Sequence, residues 1–265
     1  MKLSLGNYYA GDSFLHRLDP RVKILASIIL MIVLFMLTDL IPLVVFGLVL
    51  LLVTFVAKIP PKLVLRSVKP IMLLAVIAFL INVFTVPGEA IWSWRSIAVT
   101  KEGLSLGLRM AVRLFYLVMS TQLCLTLTTT PLEIADGIES LLKPFARFGF
   151  PAHELAMMMS IALRFVPTLS QETEKIIKAQ SSRGADYDTG GALARARGLV
   201  SVLIPLFVSA FKRAEELATA MEARCYRGGE GRTKLRVLRY RTADGLAAAA
   251  IVLFCAILIV LQFFI

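Results

Sequence analysis

Histidine is nearly missing from this 265-residue chain, which has only His16 and His153. That inventory excludes a multi-histidine metal site and an HExxH hydrolase. No GxxxxGK[ST] segment occurs, so the chain has no phosphate-cradling loop of that kind. Cysteine is scarce. Cys124 and Cys255 sit in apolar runs and Cys225 in a basic segment; no pair has metal-ligand spacing, and a disulfide framework is not expected. The centres of the apolar runs lack carboxylates, which weakens a proton- or sodium-coupled transporter with its own ion site. Glu215-Glu216 approximates the paired glutamates of certain intramembrane proteases, but Ala220 stands where an arginine would be needed one turn on. The polar, basic opening of the chain has no apolar core before a small-residue cleavage site, so no cleaved leader is expected and the first span is its own insertion signal.

What is present is hydrocarbon-compatible helix. The chain is 58% hydrophobic with a mean hydropathy of +0.78, against the roughly 45–50% apolar content of soluble domains. This is the composition of an all-α, polytopic membrane protein. The net charge of +11 then reports topology, not nucleic acid, because cations collect in cytoplasmic loops.

Five spans are expected, at about 24–38, 43–57, 70–86, 104–128 and 243–264. Asp19-Pro20 before the first reads as a helix opening, with aspartate capping free amides and proline at the first helical position. Lys58, Lys62, Arg66 and Lys69 fill the second connection without an acidic residue, whereas Arg95 and Lys101 in the 87–103 loop are balanced by Glu89 and Glu102. Trp92 and Trp94 in that loop suit a membrane interface. The positive-inside rule therefore puts the N-terminus in the cytoplasm and the C-terminus outside. Arg109 and Arg113, one turn apart near the loop end of the fourth span, read as side chains snorkelling to headgroups. Asn82 and Gln122 read as interhelical hydrogen-bonding groups.

Three domains follow: 1–130 with four spans, 131–242 as a cytoplasmic helical layer, and 243–265 as a closing span. The middle segment carries 17 Lys and Arg against 12 Asp and Glu. Its apolar stretches at 155–163 and 199–211 are too short and too interrupted by Arg164, Pro167 and Pro205 to cross a bilayer, which needs about 20 residues. They read as parts of long helices lying along the inner face. The first amphipathic helix there places Leu132, Ala135, Ile138, Leu141 and Leu142 on one face. Residues 184–198 are expected as the turn between the two long helices.

Those two helices end alike. One closes in Ser182-Arg183-Gly184 and the other in Ala223-Arg224-Cys225, with Glu174 and Glu215 the same distance before the arginines. A cation at a helix C-terminus interacts favourably with the helix dipole, and Gly184 would make a good C-cap. Repetition on two adjacent helices points further, to a rigid guanidinium fork reaching acceptors on a partner.

The two tips, the lead-in Leu15-His16-Arg17-Leu18-Asp19-Pro20-Arg21-Val22-Lys23 and the segment Ala162-Leu163-Arg164-Phe165-Val166-Pro167 together resemble the transmembrane T component of energy-coupling factor (ECF) transporters, prokaryotic importers of the ABC superfamily. The resemblance covers nearly the whole chain. It implies a non-catalytic subunit whose Ser182, Arg183, Gly184, Ala223, Arg224 and Cys225 dock into two ATPase subunits, while the membrane helices support a substrate-binding S component importing a vitamin or other micronutrient. It implies no cofactor or metal in this chain, with ATP bound by the partners. A cobalt or nickel importer subunit is the related alternative, and an intramembrane hydrolase or a solitary secondary transporter the unrelated ones. The substrate cannot be read here, since specificity in that family belongs to another polypeptide.

Overall fold

The computed structural model describes residues 9, 11, 13–94, 97–184, 191–228, 238 and 240–264, with backbone only at 61–62, 66–67, 90–94, 97–98 and 192–197. Arg95 and the side chains of Lys62, Arg66, Trp92 and Trp94 thus lie outside what is described. In chain order the elements are α1 (Phe14–Arg17), α2 (Pro20–Met36), α3 (Leu40–Val56), α4 (Pro61–Thr85), strands β1 (Ala90–Trp94) and β2 (Ile97–Thr100), α5 (Lys101–Thr121), α6 (Pro131–Leu142), α7 (Ala152–Ser182), α8 (Ala192–Ala223) and α9 (Thr242–Phe264). The fold is that of a helical membrane protein, as expected. The two antiparallel strands, pairing Trp94 with Ile97 and Ala90 with Thr100, are a small addition within the 87–103 loop.

The chain divides into two compact units, one of residues 142–235 and one of 6–141 with 236–265. Each predicted span has its helix in the second unit. Asp19 caps α2 as anticipated, its Oδ1 accepting from the Arg21 amide at 2.9 Å with Pro20 at the first helical position. α4 starts nine residues before the expected Pro70, because the Pro60-Pro61 pair opens a helix that runs on through the basic stretch, with Pro70 inside it. Val68–Thr85, Lys101–Thr126 and Thr242–Phe264 are long and apolar enough to cross a membrane, and Leu40–Val56 is a shorter apolar helix. α2 and α3, at 17 residues each, measure only about 25 Å, somewhat less than the ~30 Å hydrocarbon core.

Side chains from all five of these helices form the core. Val33, Leu34 and Leu37 of α2 meet Phe46 and Leu50 of α3, Val64 and Val68 of α4, Met119 of α5, Leu123 and Leu127 just beyond it, and Cys255 and Leu258 of α9. α5 and α4 approach most closely. A Cβ at Gly103 would lie 2.8 Å from the Asn82 carbonyl oxygen, and one at Gly107 would lie 3.0 Å from that of Phe79. This Gly-x-x-x-Gly spacing puts both glycines on one face and lets the backbones touch. α5 ends in a π-helical turn, Gln122–Thr126, closed by the Leu127 amide on the Gln122 carbonyl at 2.9 Å.

The turn between α2 and α3 is pinned by polar side chains. Gln262 Oε1 accepts from the Thr38 and Asp39 amides at 3.0 and 3.3 Å, while its Nε2 donates to Thr38 Oγ1 and Asp39 Oδ2. Arg109 donates to the Thr38 carbonyl at 3.2 Å and Arg113 to the Leu37 carbonyl. The two arginines thus reach the C-cap carbonyl of α2 and the next one in the turn beyond it, where the helix dipole favours cations. Asn82 departs from the interhelical reading: its Nδ2 donates within its own helix, to Ala78 at 2.8 Å. Gln122 Oε1 is buried without a hydrogen-bond partner.

Candidate coupling site at two helix tips

The other unit is built on α7 and α8, of 31 and 32 residues. Neither is among the helices apolar and long enough to cross a membrane. α8 begins at Ala192, so the expected turn over 184–198 is shorter than the sequence suggested. Residues 185–190 lie outside the described residues. Gly191 precedes the new helix in extended conformation, and the Ala-Leu-Ala-Arg-Ala-Arg run that follows consists of good helix formers.

The two tips have the same backbone geometry. Ser182 is the last residue of α7 and Arg183 its C-cap, at φ −90° and ψ 7°; Ala223 is the last of α8 and Arg224 its C-cap, at φ −93° and ψ 13°. The next residue is left-handed in both, Gly184 at φ 85° and Cys225 at φ 56°. At the second tip the Cys225 amide donates to Glu222 at 2.8 Å and the Tyr226 amide to Met221 at 3.0 Å. These are the two bonds of a Schellman ending. At the first tip the matching Gly184 amide donates to Ser181 at 3.0 Å.

All six tip residues are exposed. Ser182 Oγ donates back to the Lys178 carbonyl at 3.0 Å, which keeps it along its own helix. A Cβ built on Gly184 would meet nothing within 4 Å. The third position of each tip is thus defined by its left-handed backbone more than by small size, and glycine suits it without strain.

Among the described residues an ion pair joins the helices. Arg213 Nη2 of α8 donates to Glu172 Oε2 of α7 at 3.0 Å, and each residue lies eleven positions before its own tip arginine. Sequence reading missed this pair, although aligning the tips would have exposed the opposite charges at equivalent positions. Each tip arginine thus lies about 16 Å of helix beyond its own member of the pair.

Relatives decide what kind of protein carries this pair. The family model described as CbiQ, cobalt transport protein, matches residues 11–235. The chain is 51% identical over 250 residues to the energy-coupling factor transporter transmembrane protein EcfT of Acidaminococcus fermentans, covering 92% of this chain and 91% of that one. It is 48% identical over 261 residues to EcfT of Ruminiclostridium cellulolyticum, with 98% and 97% covered, and 42% identical over 259 residues to EcfT of Bacillus subtilis, with 97% of each covered.

The chain belongs to the CbiQ/EcfT family. It is a transmembrane component of the energy-coupling factor transporter class, a transport subunit and not an enzyme. Members of this family are membrane proteins, in keeping with the apolar helices α4, α5 and α9. As a CbiQ/EcfT protein the chain has transport chemistry to explain, and among its described residues no group of three or more His, Cys, Asp or Glu is placed to hold a metal ion.

Proposed function

We propose that this chain is the coupling subunit of an ECF-type importer, with Arg183 and Arg224 each engaging one of two ATPase subunits. The observation that carries this reading is the matched geometry of the tips: two exposed arginines on equal arms, each presented by the same left-handed ending. An arginine at a helix end offers a planar fork of donors suited to carboxylate or carbonyl acceptors in a groove.

In this reading Ser182, Gly184, Ala223 and Cys225 keep the tips slim enough to insert. ATP is bound and hydrolysed by the partners; closure of the ATPase pair moves the tips, and the membrane helices pass the motion to a substrate-binding S component that takes up a vitamin or other micronutrient. Five helices, α2 to α5 and α9, cross the membrane, with the N-terminus and the tips in the cytoplasm and the C-terminus outside. The exposed apolar face of α8, Leu199, Leu203, Ile204, Phe207, Val208 and Phe211, requires lipid or an apolar partner to cover it.

The test is affinity purification from membranes with identification of every co-purifying chain. Two ATPase subunits and a small membrane protein are expected with the unmodified chain. Arg183→Ala and Arg224→Ala should each lower ATPase recovery, since truncating one member of a buried charged contact commonly costs about 2–5 kcal/mol. Unchanged recovery in both single variants and in the double variant would refute the assignment. The family's description as a cobalt transport protein favours a second reading, import of a metal cation, and the identity of the co-purifying small membrane protein separates the two.

A further inference from the structure

The first turn of α2 is tied to two other places in its unit. On one side is the start of α9. The Asp19 amide donates to Asp244 Oδ1 at 2.8 Å, and Asp244 Oδ2 accepts from the Arg241 amide at 2.7 Å. Asp244 is 2% exposed. Arg21 lies over the Tyr240 ring, 4.9 Å from its centroid, and its Nη2 donates to the Leu238 carbonyl at 3.5 Å.

On the other side is the lead-in to α6. Lys23, 5% exposed, directs its ammonium to the carbonyls of His16 at 3.3 Å and Thr128 at 3.0 Å and to Thr129 Oγ1 at 3.2 Å. Thr130 and Glu133 then open α6 as a capping box, each side chain accepting from the other's amide, at 3.0 and 3.3 Å. α6 itself lies on the same turn. A Cβ at Gly137 would come within 2.9 Å of Ile24 Cδ1 and 3.4 Å of Pro20 Cβ.

Burying an ammonium and a carboxylate is costly, and α2 needs neither for its own start, which Asp19 and Pro20 already provide. Their placement has a topological meaning. α6 and the segment from residue 236 to α9 are the two covalent routes joining residues 142–235 to the rest of the chain. Both routes are fastened to one turn.

We propose that Lys23 and Asp244 are positioning residues that clamp both routes to the first turn of α2, so that displacement of α7 and α8 is delivered into α2 and α9 together. This rests on the coupling role proposed above. Without the clamp, motion of the tips would be absorbed by the two connections before reaching the membrane helices.

Hydrogen exchange read by mass spectrometry, on the whole complex with its ATPases in lipid nanodiscs, tests this with ATP plus vanadate as the probe. In the unmodified complex, nucleotide should change exchange both in peptides containing Arg183 and Arg224 and in those of α2 and α9. In Lys23→Met and Asp244→Asn the change should persist at the tips and be lost in α2 and α9. Gln262→Leu, which loosens the opposite end of the same two helices, should leave the α2 and α9 response in place. A response that reaches α2 and α9 undiminished in both clamp variants overturns the clamp alone. So does its equal loss in Gln262→Leu, or loss of the tip response in both clamp variants, which would make the turn a folding element only. No nucleotide response at the tips of the unmodified complex would instead overturn the coupling role, and the clamp with it.

Discussion

Glu172 and Arg213 meet at 3.0 Å between α7 and α8, each eleven residues ahead of the arginine that ends its helix. The pair leaves the same length of helix before each tip. Its side chains remain 29% and 34% exposed, so its contribution to stability belongs with surface ion pairs, roughly 0–1 kcal/mol. Its value is as a register mark between two long helices.

Reversing one charge should disturb that register far more than it lowers stability. Glu172→Arg and Arg213→Glu are each expected to reduce ATPase recovery while shifting the unfolding free energy by no more than about 1 kcal/mol. The double exchange, which restores an opposite pair, should recover most of the loss. A double-mutant cycle on ATPase binding measures this, and strict additivity of the two single effects would show that the pair sets nothing.

The two tips should respond oppositely to exchange at their third position. Left-handed backbone costs an L-residue about 1–2 kcal/mol that glycine avoids. Cys225→Gly should therefore slow amide exchange at the end of α8, and Gly184→Ala should speed it at the end of α7, even though a Cβ at Gly184 has open space around it. Faster exchange in Cys225→Gly would contradict the shared ending.

Alanine at Gly103 should destabilise the membrane unit more than alanine at Gly107. The first new methyl group would press on the Asn82 carbonyl oxygen at 2.8 Å and the second on that of Phe79 at 3.0 Å. Overpacking of this kind costs about 1–3 kcal/mol, and thermal unfolding in detergent reads the order. Equal or reversed effects would mean that α4 and α5 can separate freely.

Much of this was legible because apolar runs and breakers are local signals. The span at 243–264 appears as α9 over Thr242–Phe264, and Asp39-Leu40-Ile41-Pro42 marks the α2–α3 connection within a few residues. The tips were legible as a repeat, since a small-Arg-small motif after equal glutamate spacing survives without knowledge of contacts. What stayed hidden depends on partners remote in sequence. Asp19 and Asp244 meet across 225 positions, and nothing near either predicts the other. Gly103 and Gly107 carry a visible pattern, but the helix they approach is fixed only by tertiary packing. The bonds of Arg109 and Arg113 to the Thr38 and Leu37 carbonyls likewise join residues more than 70 positions apart.

In the proposed coupling role, partner ATPases draw the two tips together when they bind nucleotide. Its most direct measurement is the distance between spin labels on Cys225 and on Ser182→Cys, in the whole complex with Cys124 and Cys255 replaced. The separation measured without nucleotide should shorten when ATP and vanadate are added. A separation that stays the same with and without nucleotide, while the ATPases remain bound, would contradict the account.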